Sequence, residues 1–185
     1  MRESPMTIWT IGHSTRSADE FAAALQSQRI EAVADVRKMP GSRRFPHFDQ
    51  DALASFLRKK AVAYHHFPDL GGRRKPDPES RNSAWRHPAF RAYSDYMRTG
   101  EFANSLDRLL QLAREMRTAI MCAEAVWWRC HRSLISDLLK SRGWTVLHIL
   151  DHRKTEEHRF TSAASFINGE LTYESPNSPP EGFLL

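Results

Sequence analysis

Short apolar runs alternate along the chain with stretches whose apolar positions recur every three or four residues. The first run, Thr7-Ile8-Trp9-Thr10-Ile11, stops at Gly12 and predicts a strand. Behind it Ser17-Ala18-Asp19-Glu20 spells a capping box: a hydroxyl caps the first helical turn and a glutamate three residues on reciprocates. Phe21, Ala24, Leu25 and Gln28 then share one helical stripe. Ala32-Val33-Ala34-Asp35-Val36 reads as a buried parallel strand, and Pro40-Gly41 breaks the chain. Asp49 opens a second helix with Leu53, Phe56 and Leu57 at i, i+3, i+4. Val62 to His66 is a short strand running into Pro68-Asp69-Leu70-Gly71-Gly72.

From Gly71 to Pro88 the chain is polar and rich in Arg and Pro, which is long for a connector and marks a functional loop or lid. Pro88 suits a first helical turn, with Phe90, Tyr93 and Met97 facing inward and Gly100 at the end. Phe102, Leu106, Leu109, Leu110 and Ala113 define a fourth helix. Thr118 to Cys122 is a strand. A fifth helix starts near Cys130 or His131, buries Leu134, Ile135, Leu138 and Leu139, and stops at Gly143. Trp144 to Leu150 is the fifth strand. The tail is polar, with a hairpin at Ile167-Asn168-Gly169-Glu170-Leu171, where Asn-Gly suits a tight turn; Ser175 to Pro180 reads as loosely ordered.

Strands alternating with amphipathic helices predict an α/β fold: one Rossmann-like three-layer domain, a mainly parallel sheet of about five strands flanked by helices. The domain spans 1–165, with the Arg/Pro-rich loop at 71–88 and a tail at 166–185. Ligands of such sheets bind beyond the carboxyl ends of the strands. The unusual polar residues fall there: Gly12-His13-Ser14, Asp35-Val36-Arg37 with Ser42, Arg43 and Arg44, Gly71-Gly72-Arg73, and Cys122-Ala123-Glu124 with Cys130-His131-Arg132.

Composition narrows the classes. In 185 residues there are 8 Gly, 10 Pro and only 2 Cys, so a disulfide scaffold, a collagen and a disordered chain are excluded. No run of about 18 apolar residues occurs. Met1 to Met6 lacks the apolar core of a signal peptide. The expectation is a cytoplasmic protein with both thiols free and no membrane partner. The net charge is +5, carried by 21 Arg and 6 Lys. Arginine's planar fork suits phosphate and base edges, so an anionic small molecule or a nucleic acid is the expected partner; codon bias toward Arg is the alternative explanation.

Taken together, Thr10-Ile11-Gly12-His13-Ser14, Asp35-Val36-Arg37 with Pro40 and Ser42, Leu70-Gly71-Gly72, Met121-Cys122-Ala123-Glu124, Cys130-His131-Arg132, Val146-Leu147-His148-Ile149 and His158-Arg159-Phe160-Thr161 resemble the uncharacterised family of the domain of unknown function DUF488. The resemblance runs from Thr7 to about Thr161. It implies a compact α/β domain with a shared polar site, and no particular activity. Trp127-Trp128 and the Arg-rich loop read as local features.

The residues themselves suggest several chemistries. Cys130 at a helix start feels the helix dipole and neighbouring cations, which favour thiolate, and the first-turn N–H groups with His131 and Arg132 make an anion site; the alternative is a Cys130 that packs inward. Cys122 to Arg129 does not match a phosphatase loop, because the spacing fails and no glycine intervenes. Glu124 is the acid/base candidate, paired with Arg132 or Arg37. Asp35 and Arg37 share one side of their strand, for substrate or for an internal ion pair. His13 and Ser14 offer a base and a nucleophile, without the elbow of a hydrolase.

Gly71, Gly72 and Arg73 approach an anion or simply turn the chain. Cys122, Cys130, Glu124, His13 and His131 carry metal-ligand types without a zinc spacing; a metal is not favoured, and the cofactor stays unknown. His65 and His66 point to opposite faces, His148 reads as a core histidine, and His158 reads as exposed and able to reach the site from the tail. Arginines interleaved with Phe45, Trp85 and Trp127-Trp128 suit stacked nucleotides or a protein interface.

Three readings follow. The first is an enzyme on an anionic, nucleotide-like or nucleic-acid-like substrate. In it Glu124, His13, Cys130, His131 and Ser14 carry the chemistry, while Asp35, Arg37, Ser42, Arg43, Gly71, Gly72, Arg73, Cys122, Arg132 and His158 bind substrate. The second is a non-catalytic nucleotide or nucleic-acid binding module. The third is a homo-oligomer, such as a homodimer, with the aromatics at its interface.

Overall fold

The computed structural model describes residues 6–41 and 43–175. Ser42, and the expectation for the chain from residue 176 onward, lie outside the described residues. Five parallel strands are β1 (Thr7–Gly12), β2 (Ala32–Asp35), β3 (Ala63–His66), β4 (Thr118–Cys122) and β5 (Thr145–Ile149). An antiparallel β6 (Thr155–Glu157) joins β5, giving the order β3-β2-β4-β1-β5-β6. The mainly parallel α/β sheet expected from the pattern is therefore present. The sixth strand had no apolar signature, because its pairing is carried by the backbone of a polar edge.

The helices are α1 (Ala18–Ser27), α2 (Gln50–Lys59), α3 (Pro88–Tyr96), α4 (Gly100–Glu115) and α5 (Arg132–Ser141). Successive strand residues point to opposite faces, and both faces are covered. Trp9, Ile11, Val33, Ala119 and Met121 pack under α1 and α2. Ile8, Ala34, Ile120, Cys122 and Val146 pack under α3, α4 and α5. The capping box forms: the Ser17 hydroxyl accepts from Glu20 N at 3.2 Å, and Ser17 N donates to the Glu20 carboxylate at 2.8 Å. Gly100 opens α4 instead of closing α3, because the Thr99 hydroxyl caps Phe102 N at 3.3 Å and starts a new helix there.

After β6, β7 (Ser165–Ile167) and β8 (Glu170–Thr172) form the expected hairpin. Its two turn residues, Asn168 at φ 52 and Gly169 at φ 85, lie in the left-handed region, as a type I′ turn requires. Among the described residues no helix is long and apolar enough to cross a membrane.

One close approach positions the rim of the sheet. Gly12 pairs with Cys122, and a Cβ on Gly12 would stand 1.9 Å from the carbonyl oxygen of Glu124. Only hydrogen fits there. The ladder continues past the strand, with His13 N on the Cys122 carbonyl at 2.9 Å and Ser14 N on that of Ala123 at 2.8 Å. The segments after β1 and β4 are thereby locked together.

Candidate active site

A cleft of about 610 Å³ opens at the carboxyl ends of β1, β2 and β4. His13, Ser14 and Thr15 enter it after β1, Arg37, Lys38 and Met39 after β2, and Cys122 to Ala125 after β4. Arg129, Cys130 and His131 come from the approach to α5, Phe90 and Tyr93 from α3, and Gly72 and Arg73 from the long loop. Glu124 is the only carboxylate among these lining residues, against the cations of Arg37, Lys38, Arg73 and Arg129. Phe45, Phe90, Met39 and the ring of Tyr93 supply an apolar wall.

At the floor two thiols meet. The sulfurs of Cys122 and Cys130 and a ring nitrogen of His131 all lie within 4.8 Å of one another. Both cysteines are free and buried. His131 Nδ1 is 3.6 Å from the Cys130 sulfur, and Arg132 Nε–H donates to that sulfur at 3.4 Å. The Cys122 thiol donates to Cys130, which pulls the Cys130 thiol well below its ordinary value; His131 and Arg132 act in the same direction. The same bond, with burial, pushes Cys122 up. These contacts favour the proton on Cys122 over Cys130.

Arg132 is 1% exposed. Its Nη2 donates to the backbone carbonyl of Glu124 and its Nη1 to Thr10 Oγ1 at 3.4 Å. Among the described residues no carboxylate pairs with it, and its Nε–H faces the Cys130 sulfur instead. The expected side-chain pairing of Glu124 with Arg132 or Arg37 does not occur. Glu124 sits on an exposed turn that presents its main chain, not its carboxylate, to Arg132.

Behind Arg132 a buried chain runs through the domain. Thr10 Oγ1 is 2.7 Å from His148 Nδ1, His148 Nε2 is 3.0 Å from His158 Nδ1, and His158 Nε2 is 3.0 Å from Asp137 Oδ1. The two ends have a fixed direction, since a guanidinium only donates and a carboxylate only accepts: Arg132 donates to Thr10, and His158 Nε2–H donates to Asp137. Burial, then the neighbouring His158 and Arg132, hold His148 down at about 2, so that ring is neutral. Asp137 also accepts from Thr161 N, Thr161 Oγ1 and Tyr173 OH. Trp127 stacks on His148 at 4.1 Å. His148 is the satisfied core histidine expected. His158, expected to be exposed, is 1% exposed, because the tail folds back and buries it against Asp137.

On the other side of the cleft Asp35, fully buried, binds Arg37 through Nη2 at 2.6 Å and Nε at 2.9 Å. Tyr64 OH donates to the same carboxylate at 2.7 Å. This is the internal ion pair, and it leaves Arg37 Nη1 3.3 Å from His13 Nε2. His13 stacks on Phe48 at 4.2 Å, and its Nδ1–H donates to the Ser14 carbonyl at 3.0 Å. Burial, then the Arg37 charge, lowers His13 to about 4. His13 is thus a neutral wall with both nitrogens engaged.

A Cβ on Gly71 would stand 2.8 Å from Lys38 N and the Pro68 carbonyl, so only hydrogen fits where these segments meet, and Gly72 lies against the His131 ring. Arg73 is exposed at the cleft edge.

The structure thus brings His13, Ser14, Arg37, Gly72, Arg73, Cys122, Glu124, Cys130 and His131 to one cleft. Arg132 lies just beneath the floor, Asp35 behind Arg37, and Gly71 behind the rim. Arg43 is exposed and outside the lining, and His158 is buried away from it. Sequence reasoning missed Lys38 and Arg129, which sit beside Arg37 and Cys130, and the apolar wall of Phe90 and Tyr93, whose spacing signals only a helix face. Cys122, Cys130 and His131 form the one grouping of metal-ligand type among the described residues.

A family model described as Domain of unknown function DUF488 matches residues 17–139. That span holds Asp35 to Arg132 and Asp137; Thr10 to Ser14, Val146 to Ile149 and His158 to Thr161 lie outside it. No curated protein and no solved structure matches the chain.

Proposed function

The chain belongs to the DUF488 family, a domain of unknown function, and from that premise we propose that it is an enzyme using Cys130 as a nucleophile on an anionic, nucleotide-like substrate. One observation carries this reading: a fully buried Arg132, with no carboxylate partner among the described residues, donates to the Cys130 sulfur at the floor of an open cleft. A structural cysteine has no need of a guanidinium; Cys130, though buried, lines the cleft with its sulfur against one.

Arg37, Lys38, Arg73 and Arg129 hold the anionic part of the substrate, and Phe45, Phe90 and Met39 take its apolar or aromatic part. The Cys130 sulfur attacks the electrophilic phosphorus or carbonyl carbon. A bond from sulfur to that centre forms, and the bond to the leaving oxygen breaks. Glu124 gives the departing oxygen a proton and then takes one from the water that hydrolyses the covalent intermediate. His131, whose Nε2 is buried without a partner, and Ser14 orient the substrate. Two free thiols suit a reducing, cytoplasmic setting.

A panel of nucleoside mono-, di- and triphosphates and short oligonucleotides, with products resolved by ion-exchange chromatography, tests this. The full chain converts at least one of them, while Cys130→Ser and Glu124→Gln convert none. Saturable binding with no product from any of them would replace the enzyme with a binding module, which the cationic lining alone also supports.

A further inference from the structure

Building on the reading of Cys130 as the nucleophile, we infer that Cys122 and Cys130 are a modification site: a dithiol that a hydroperoxide oxidises to a disulfide, closing the cleft floor reversibly. The geometry separates the two roles. Cys122 ends β4 and is pinned by its pairing with Gly12. Cys130 ends a connecting segment whose only regular structure is the single turn Trp127–Arg129, and Ala123, Glu124, Ala125, Trp128 and Arg129 in it are exposed. A rotation of the Cys130 side chain is enough to bring its sulfur toward the fixed one. The sulfurs start within 4.8 Å of each other, a short step from the bonded separation of about 2 Å, and both line the cleft, where a molecule as small as a hydroperoxide reaches them.

The chemistry follows the charge distribution. Arg132 and His131 stand against the Cys130 sulfur, so this sulfur attacks the peroxide oxygen. The O–O bond breaks, the leaving oxygen departs as water or an alcohol after taking a proton, and Cys130 becomes a sulfenic acid. The Cys122 sulfur then attacks the Cys130 sulfur; the S–O bond breaks, and hydroxide leaves with the Cys122 proton as a second water. The two sulfurs have lost two electrons to the peroxide, and an external thiol returns them. Oxidation removes the nucleophile and the anion that Arg132 faces, so it silences the proposed chemistry and leaves Arg132 to Thr10 and the Glu124 carbonyl.

The test uses the reduced full chain and two parallel readouts. Hydrogen peroxide titration is followed by intact mass and non-reducing peptide mapping, and iodoacetamide alkylation of Cys130 is timed at neutral pH. We expect rapid alkylation, the loss of two hydrogens per chain on oxidation, a peptide linking Cys122 to Cys130, and recovery with dithiothreitol. In Cys122→Ser, oxidation stops at a Cys130 sulfenic acid that dimedone traps. Rapid alkylation with direct passage of Cys130 to sulfinic acid, and no linked peptide, overturns this inference while leaving the nucleophile intact. Slow alkylation together with no disulfide overturns both.

Discussion

Arg132 and Cys130 stand two residues apart at the start of α5, with the guanidinium Nε 3.4 Å from the sulfur and the arginine 1% exposed. A buried cation without a carboxylate is costly unless another anion compensates it. With the Cys122 thiol and His131, the arginine lowers the Cys130 thiol, and the thiol gives the arginine its reason to be buried.

Replacing Arg132 by Met removes that charge and leaves Thr10 and the Glu124 carbonyl without their donor. Alkylation of Cys130 at neutral pH should fall by about tenfold or more, as the thiol returns toward its ordinary range near 8.5. Lysine should not restore it, because one ammonium on a flexible stem does not reproduce a planar fork serving a sulfur, a hydroxyl and a carbonyl together. Timed alkylation with peptide mapping, beside circular dichroism to confirm folding, checks both substitutions; unchanged rates would break the link.

The far end of the buried chain predicts a stability effect instead of a reactivity effect. Asp137 accepts from His158, from both donors of Thr161 and from Tyr173. Asp137→Asn turns an amide donor toward one of them and should cost about 3 kcal/mol; Tyr173→Phe removes one bond to the carboxylate and should cost about 1–2 kcal/mol. Urea unfolding measures both, and equal small losses would show that Asp137 is not the anchor.

Acid should weaken the fold through its neutral histidines. His13 is lowered to about 4 and His148 to about 2, against about 6.5 in the unfolded chain. Below 6.5 the unfolded state takes up protons that the folded state refuses, so stability drops as pH falls. Each ring contributes about 1.4 kcal/mol per pH unit, His13 until about pH 4 and His148 further down. His148→Gln should flatten the slope between pH 6 and pH 4 in urea titrations run at several pH values; an unaltered slope would show that His148 is not held neutral.

Two glycines of the rim should behave differently. A Cβ on Gly12 would meet backbone at 1.9 Å, so Gly12→Ala should prevent normal folding or lower its yield sharply. A Cβ on Gly72 would meet only the His131 ring, at 3.2 Å. Gly72→Ala should leave a folded chain, with the ring displaced and Cys130 alkylation changed. Comparing soluble yield and alkylation for the two tests this contrast.

The fold was legible wherever burial on both faces leaves a trace in the pattern, as in the Ile8-to-Ile11 and Ala32-to-Val36 runs, and wherever a local motif closes on itself, as in Ser17 with Glu20 or Asn168 with Gly169. It was not legible at Thr155 to Glu157, where an edge strand is held by main-chain bonds and its side chains carry no preference. The rim was legible because polar residues directly after buried strands have few places to go; Cys122, Glu124, Cys130 and His131 were found that way.

The buried chain was not visible, since His158, Asp137 and Tyr173 are far apart in sequence and none of them advertises its partner. An isolated histidine in a polar tail reads as exposed until the fold supplies a carboxylate for it. Likewise Arg37 reads equally as a substrate ligand or an ion-pair partner, and the choice depends on Asp35 and Tyr64 closing around it.

The most direct test of the central claim is the pH dependence of Cys130 alkylation by iodoacetamide, read by peptide mapping in the reduced chain. The rate should already stand on its plateau at pH 7 and fall only toward acid, well below the range near 8.5 of an ordinary thiol. A rate that climbs steadily through pH 8.5, with the same profile in Arg132→Met, would contradict a thiolate held by Arg132 and remove the basis for catalysis at this cleft.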